Sequence, residues 1–287
     1  MIYAKYILIT GDLLYFFYKL MVLIVKGDKK KLDEYLFKKN KTFLDFIPES
    51  IYSEKVCFMD GIKAIPRRNT DDFFVLFKGE RHENRITPFL ELYEYEVFVD
   101  IGANVGLYSL RVAHCYKDKG VRIISIEAHP ETFKALCRNI ECNGQFKNNI
   151  FKLINKAVSD KRGLVTMYDQ YEEKNNRQHS RYSSIHERVV NTHTFKVRGR
   201  PSSFQVECDT LDNILAIDNV DIMKIDIEGA EIQALKGASR TLGQLRKIIV
   251  EVHGNNMEEV KKILEDSDFK LEILGDGSLK HVMGSKR

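Results

Sequence analysis

Apolar residues recur along this chain with two different periods, and their alternation organises it from about residue 95 onward. Short runs rich in β-branched residues fall at 97–100, 122–127, 150–155, 220–226 and 245–253. Between and after them lie segments whose apolar residues return every three or four positions: 107–114, 131–140, 227–236 and 257–264. The first pattern predicts strands and the second amphipathic helices. Strands alternating with helices predict an α/β fold, a mainly parallel sheet with helices on both faces. Two further runs, 270–274 and 279–283, flank Gly275-Asp276-Gly277 and predict a hairpin. Pro130 stands where a helix starts and a missing N–H is harmless. Residues 209–215 open with N-cap side chains and predict a short helix.

Upstream of residue 95 the pattern is less regular. Residues 1 to about 50 read as helical, beginning with the apolar stretch 13–25, which Lys26, Lys29, Lys30 and Lys31 follow. That stretch is too short to cross a bilayer, and Lys19 interrupts it. It lacks the flanks of a signal peptide. Two uses remain: a helix buried against the main domain or an oligomer interface, or a peripheral membrane contact through residues 7–31. Short strand-like pieces follow at 55–58 and 72–77, then a helix over 80–94. The division expected is an N-terminal helical and short-strand cap over 1–80 and a catalytic domain over 81–287. Strands at 164–168 and 204–208 flank a polar insert, about 169–202, too long for a plain connector. A substrate lid and a segment without fixed structure are both open for it.

Composition narrows the partners. A net charge of +4 over 287 residues is too small an excess to argue for nucleic acid. Five cysteines, odd in number and without a C-x-x-C pair, read as reduced thiols of a cytoplasmic protein, peripheral at the membrane if the N-terminal stretch binds there.

The chemistry gathers at strand ends. The run at 97–100 ends in Asp100, and a turn bearing Gly102, Ala103, Asn104 and Gly106 leads into a helix. That helix start would aim unpaired N–H groups at a ligand. A pyrophosphate site would show G-x-G-x-x-G; this turn shows G-x-x-x-G behind a carboxylate. A carboxylate there suits a ligand with an ammonium group, such as S-adenosylmethionine (SAM). Glu127 ends the next strand, near the offset of an acid that grips ribose hydroxyls. Ala157, past the third strand, is the candidate for backbone contact with an adenine. Helix capping is the alternative for both acids.

A second group lies further on. Lys224 and Asp226 are two apart and share a strand face, as do Glu251 and His253. Glu228 and Glu231 are expected in the first turn of the helix after Asp226. If the two strands are neighbours, these groups converge beside Asp100. His253 or Asp226 could take a proton from an acceptor hydroxyl, with Lys224 tuning either or holding the oxygen. The same oxygen-rich set could instead hold a divalent ion. For Glu228 and Glu231, a purely structural role at a helix N-terminus is the bland alternative.

Taken together, Asp100-Ile-Gly-Ala-Asn-Val-Gly106, Glu127-Ala-His-Pro130, Thr210-Leu-Asp212, Asp221-Ile-Met-Lys-Ile-Asp-Ile-Glu-Gly-Ala-Glu231 and Glu251-Val-His253 resemble the FkbM family of SAM-dependent methyltransferases. The resemblance covers roughly 95–255. It implies a class I methyltransferase Rossmann-like sheet of seven strands ending in an antiparallel one. It also implies O-methylation of sugars, glycans or small metabolites. By position it assigns SAM contacts to Asp100, Gly102, Asn104, Gly106 and Glu127. The rivals are a nicotinamide-dependent oxidoreductase, opposed by Asp100 and the missing third glycine, and a non-catalytic module on the same fold, opposed by the intact polar set. A nucleic-acid methyltransferase would want a basic stripe that the chain does not show.

Overall fold

The computed structural model describes residues 56–57, 62–67, 70, 72, 75, 86 and 89–286, apart from 147–148, 170, 173–176, 179–201, 217 and 276–279. Two compact units divide the chain, Met1–Glu49 and Ser50–Arg287. The first unit, with the apolar stretch and its lysines, lies outside the described residues, as does most of the insert. Among the described residues, no helix is long and apolar enough to cross a membrane.

In the second unit β1 (Val56–Cys57) and β2 (Lys63–Ala64) form an antiparallel pair. Then come β3 (Val97–Ile101), α1 (Leu107–Cys115), β4 (Arg122–Ile126), α2 (Pro130–Glu141) and β5 (Ile150–Ile154). A smaller group follows: β6 (Ala157–Val158), β7 (Gly163–Asp169), β8 (Tyr171–Glu172), β9 (Arg177–Gln178) and β10 (Ser202–Asp209). The last part holds α3 (Leu211–Ile214), β11 (Ile222–Ile225), α4 (Glu231–Lys236), α5 (Ser239–Gln244) and β12 (Lys247–Val252). It closes with α6 (Met257–Asp266), β13 (Lys270–Leu274) and β14 (Lys280–Ser285).

Seven strands make the main sheet in the order β13-β14-β12-β11-β3-β4-β5. The five inner-to-edge strands from β12 to β5 run parallel, and β14 is antiparallel to both its neighbours. This is the class I methyltransferase sheet with its C-terminal hairpin strand. β6, β10 and β7 form a separate three-stranded sheet.

Both faces of the main sheet are buried, so its strands are apolar at consecutive positions, as a parallel sheet requires. Val97, Val99, Ile101, Ile124, Ile126, Met223 and Ile225 enter one core with Leu235, Leu242 and Leu264 of α4 to α6. Phe98, Ile123, Ile222 and Ile249, one step out of phase, enter the other with Tyr108, Leu110 and Val112 of α1. Lys224 and Glu251 share the phase of Ile222 and Ile249, and Asp100 that of Phe98. These polar groups therefore lie on the α1 face.

Three expected elements differ. Asp72 and Val75 are helical, not extended. The Thr70 hydroxyl accepts from Asp72 N–H at 3.2 Å, a helix-starting contact, and Arg67 clamps the Asp72 carboxylate at 2.8 Å. Of the helix expected over 80–94, residues 90–93 are in no regular element, with Leu90 and Leu92 buried between exposed Glu91 and Tyr93, and residues 80–85 and 87–88 lie outside the described residues. Pro88 disfavours a helix in the residue before it, and the burial period here is two. Third, the helix placed at 227–236 starts only at Glu231, because Glu228 (φ 50°) and Gly229 (φ 107°) turn the chain in left-handed conformations.

Gly102 has φ 73°, and a Cβ there would stand 1.8 Å from the carbonyl oxygen of Asp226. Glycine is thus required by a neighbouring strand end as well as by backbone angle. Gly102→Ala should lower the unfolding free energy by more than about 2 kcal/mol. Urea denaturation checks this; a loss under about 0.5 kcal/mol would mean that the two strand ends do not meet here.

Candidate active site at the carboxyl edge of the sheet

After β3 the chain builds β4 and β5 to one side, and then β11 and β12 to the other. The strand order therefore reverses between β3 and β11, and ligands of open α/β sheets bind above such a reversal. Asp100 and the glycine turn lie at the end of β3; Lys224 and Asp226 lie at the end of β11, with Lys224 level with Asp100.

Asp100 is fully buried. Its Oδ2 accepts from Ser109 N–H (3.1 Å) and Ser109 Oγ (2.7 Å), which anchors the first turn of α1, and Ser109 Oγ meets Ser125 Oγ at 2.7 Å. Burial pushes the Asp100 carboxyl above its ordinary value, against the opposing pull of the Lys224 charge. Glu127 accepts from the N–H of Asn104 and of His129, both at 2.9 Å, and burial likewise raises its pKa. Both acids therefore do hold helix-entry backbone, as the capping alternative has it.

Four backbone N–H groups of the turn are taken up within the fold: those of Gly102 and Ala103 donate to Ile126 O, that of Asn104 to Glu127, and that of Gly106 to Ala103 O. Already bridged to β4, the turn has spent these donors. What it leaves unpartnered are two buried acceptors, Asp100 Oδ1 and Asn104 Oδ1. Buried acceptors without donors are costly, about 1–3 kcal/mol each, and suit a ligand that brings N–H or O–H groups. Ala157 lies in β6, in an apolar cluster against which Ala128, the residue after Glu127, packs.

The second group does converge. Lys224 is only 2% exposed, a position that costs an ammonium several kcal/mol of hydration. Its Nζ donates to Asp226 Oδ2 at 3.1 Å and stands 4.4 Å from the centre of the Tyr108 ring, an attraction of about 2 kcal/mol when desolvated. On the next strand end His253 sits among carboxylates: Nδ1 is 2.9 Å from Glu231 Oε1, and Nε2 is 3.3 Å from Glu228 Oε2 and 3.4 Å from Glu251 Oε1. Glu231 is fully buried and also accepts from Gly229 N–H (2.7 Å) and Asn256 Nδ2 (2.9 Å). Glu251 Oε2 meets His281 Nε2 at 3.1 Å.

Burial resists charging the His253 ring, but hydrogen bonds to Glu231 and Glu251 and the charges of Glu228 and Asp226 outweigh it, and the imidazole is pushed up to about 11. Held toward its charged form among these acids, His253 is less suited to take a proton than Asp226, whose side chain at 27% is the most open of the group. Burial, then the surrounding acids, raise Glu228 to about 8. Glu251 is held well below the usual range: burial opposes this, and hydrogen bonds with His253 and His281 outweigh it. Ser109, Tyr108, Asn256 and His281 were not singled out from the sequence. Tyr108 and Ser109 carry a signal, lying in the helix turn directly after the glycine loop; His281 and Asn256 carry none without the strand pairing.

Sheet order, turn and polar edge together define a methyltransferase of the class I fold. The chain belongs to the methyltransferase FkbM domain family, whose model matches residues 100–274 of 287. Among curated relatives, the methyltransferase sdnD of Sordaria araneosa is 24% identical over 198 residues, 60% of this chain and 73% of that one. The hexuronic acid methyltransferase AglP of Haloferax volcanii is 23% identical over 184 residues, 64% of this chain and 67% of that one. The crystal structure of the methyltransferase FkbM of Methylobacillus flagellatus superposes with a TM-score of 0.47 at 18% identity, covering 69% of this chain and 45% of that one.

Because Glu231 is buried and holds His253, Gly229 and Asn256 together, Glu231→Ala should cost about 3–5 kcal/mol of folding free energy, and Glu231→Gln roughly half that. Denaturant titration of the two variants checks the order. Equal and small losses would show that the carboxylate does not organise this edge.

Proposed function

We propose that this protein transfers a methyl group from SAM to a hydroxyl oxygen of a sugar, glycan or small metabolite. The observation that carries the reading is the contact between the two halves of the site, where Gly102 of the turn abuts the backbone of Asp226. A donor seated over the turn and an acceptor at Asp226 would then be neighbours, which methyl transfer needs above all. The residues present fit the donor. Asp100 Oδ1 and Asn104 Oδ1 are buried acceptors awaiting hydrogen-bond donors, and the methionine ammonium and ribose hydroxyls of SAM supply them. Glu127 keeps both oxygens beside the turn, each with one backbone partner and a further lone pair. The hexuronic acid named for one relative supports a sugar acceptor.

Bound SAM supplies a methyl group on a positively charged sulfur, which leaves as a neutral thioether when the acceptor oxygen forms its bond to carbon. The chain's own part is positioning and one proton. Asp226 takes the acceptor's hydroxyl proton. Lys224, held against Asp226 Oδ2, keeps that carboxylate aimed. Tyr108 covers the ammonium from the side of α1 and excludes water from it.

Calorimetric titration with S-adenosylhomocysteine tests the donor half, and turnover with a panel of glycosides tests the acceptor half. Asp100→Asn should weaken S-adenosylhomocysteine by about 10- to 100-fold. Asp226→Asn should leave that affinity in place and lower turnover by about 100-fold or more. NAD should not bind. Unchanged affinity in Asp100→Asn and in Glu127→Ala would move the donor away from this turn and remove the reading.

A further inference from the structure

We infer that Asp226, Glu251 and His253 form a divalent-cation site on the acceptor side of this centre, with Glu231 fixing His253 in the ligating tautomer. The inference rests on reading this edge as a methyl-transfer site, and deepens it by naming what receives the acceptor's oxygen.

Geometry is the first support. One ligand atom from each of the three residues lies within 4.8 Å of the others. Around a cation bound at about 2.1 Å, ligand atoms stand about 3.0 Å apart when adjacent and about 4.2 Å when opposite. The 4.8 Å limit exceeds the opposite spacing by about 0.6 Å and the adjacent one by about 1.8 Å, so the side chains draw in on binding, and two of the three are carried by one strand and the residue just past it. Asp226 has already given Oδ2 to Lys224.

The orientation of the imidazole is the second support, and it is independent of how many acids are present. Glu231 Oε1 faces Nδ1 at 2.9 Å, and Glu231 is fully buried with its oxygens also taken by Gly229 N–H and Asn256 Nδ2. A carboxylate in that position accepts, so Nδ1 carries the hydrogen. The lone pair of the neutral ring is then on Nε2, directed at the place where Glu228 and Glu251 present oxygens at 3.3 and 3.4 Å. A carboxylate behind the distal nitrogen is the arrangement that orients metal-bound histidines generally.

Charge is the third. Asp226, Glu228, Glu231 and Glu251 bring four carboxylates into one connected group, against Lys224 and the two histidines His253 and His281. When a dication enters, the Nε2 proton of His253 leaves to solvent and the cluster gains one net positive charge. Two carboxylate oxygens and one imidazole nitrogen suit manganese, magnesium, iron or zinc. The remaining coordination positions would take the acceptor oxygen and lower its pKa, which is the use such an ion has beside a hydroxyl nucleophile.

The test uses the full chain, stripped with EDTA, dialysed, and titrated with MnCl2 while free Mn2+ is read by electron paramagnetic resonance. S-adenosylhomocysteine affinity is measured on the same samples. The expected result is about one Mn2+ per chain at micromolar affinity, weakened by about 30-fold or more in Glu251→Gln and in His253→Gln, with S-adenosylhomocysteine affinity within about 3-fold of the parent. Should either variant fail to fold by circular dichroism, Asp226→Asn, altering the most exposed of the three ligands, takes its place with the same expectation. Absence of saturable Mn2+ binding in a folded parent that still takes S-adenosylhomocysteine overturns the cation site and spares the donor reading. Mn2+ binding that all the variants retain overturns it equally. Mn2+ binding lost in the variants by a chain that never takes S-adenosylhomocysteine supports the cation site and removes the donor.

Discussion

Four acids, Asp226, Glu228, Glu231 and Glu251, are held in one connected and largely buried group, and the rest of the carboxyl edge is arranged around it. An ion stripped of water costs several kcal/mol even after relaxation, and that cost returns only through well-placed counter-charges and hydrogen bonds. Here they come from every neighbouring element. β11 brings Lys224, β14 brings His281 opposite Glu251, the segment before α6 brings Asn256, and the Glu228-Gly229 turn brings a backbone N–H. Only the order β14-β12-β11-β3 places these donors side by side. The antiparallel hairpin strand is thus more than an edge seal: without it Glu251 would lack one of its two imidazole partners.

The opposite ends of the same strands are held by acids of a different kind. Asp221 Oδ2 accepts from Val97 N–H at 2.8 Å, while its carbonyl accepts from Arg246 and Lys247 N–H. One residue therefore sets the starting register of β3, β11 and β12. Asp218 does similar work for β4 and β5 through Arg122 and Lys152, each at 2.7 Å. Those two basic residues hold its carboxyl below the ordinary value against the effect of burial. With the starts aligned, Asp100 and Lys224 stand level with Ile249, and Glu251 lies two residues further along β12 toward the same edge. Register at one end becomes chemistry at the other.

Much of this was legible in the sequence, for a reason visible in the core. The strands of a parallel sheet are buried on both faces, so polar residues at 100, 127, 224, 226, 251 and 253 stand out against an apolar background. Where several backbones meet, single-chain patterns lose the information. Gly102 reads as a ligand-approach glycine, yet the atom it makes room for is the Asp226 carbonyl, contributed by a strand more than a hundred residues away. The pattern is silent on the turn's own N–H groups, which Ile126 at the end of β4 and Glu127 take up. The end of regular structure at 90–93 was hidden because Leu90 and Leu92 also fit a helical spacing once Phe89 and Tyr93 are counted as apolar. His253 reads as one of two candidate bases, yet four neighbouring acids, three of them placed by tertiary structure, draw it toward its charged form.

The same electrostatics bear on which acceptor this edge can take. A neutral sugar hydroxyl, the acceptor proposed above, would meet Asp226 without charge repulsion. A uronate would bring a further carboxylate, and two like charges about 4 Å apart repel by about 4 kcal/mol at the dielectric typical near protein surfaces. Lys224 cannot relieve that repulsion, since it is buried to 2% exposure and already committed to Asp226 and the face of Tyr108. An anionic acceptor therefore demands a further positive charge at the mouth of the cluster, and the Asp226–Glu251–His253 group is where these residues could hold one. Acceptor choice and cation occupancy are in this way a single electrostatic question: the charge the edge lacks decides which oxygen it can receive.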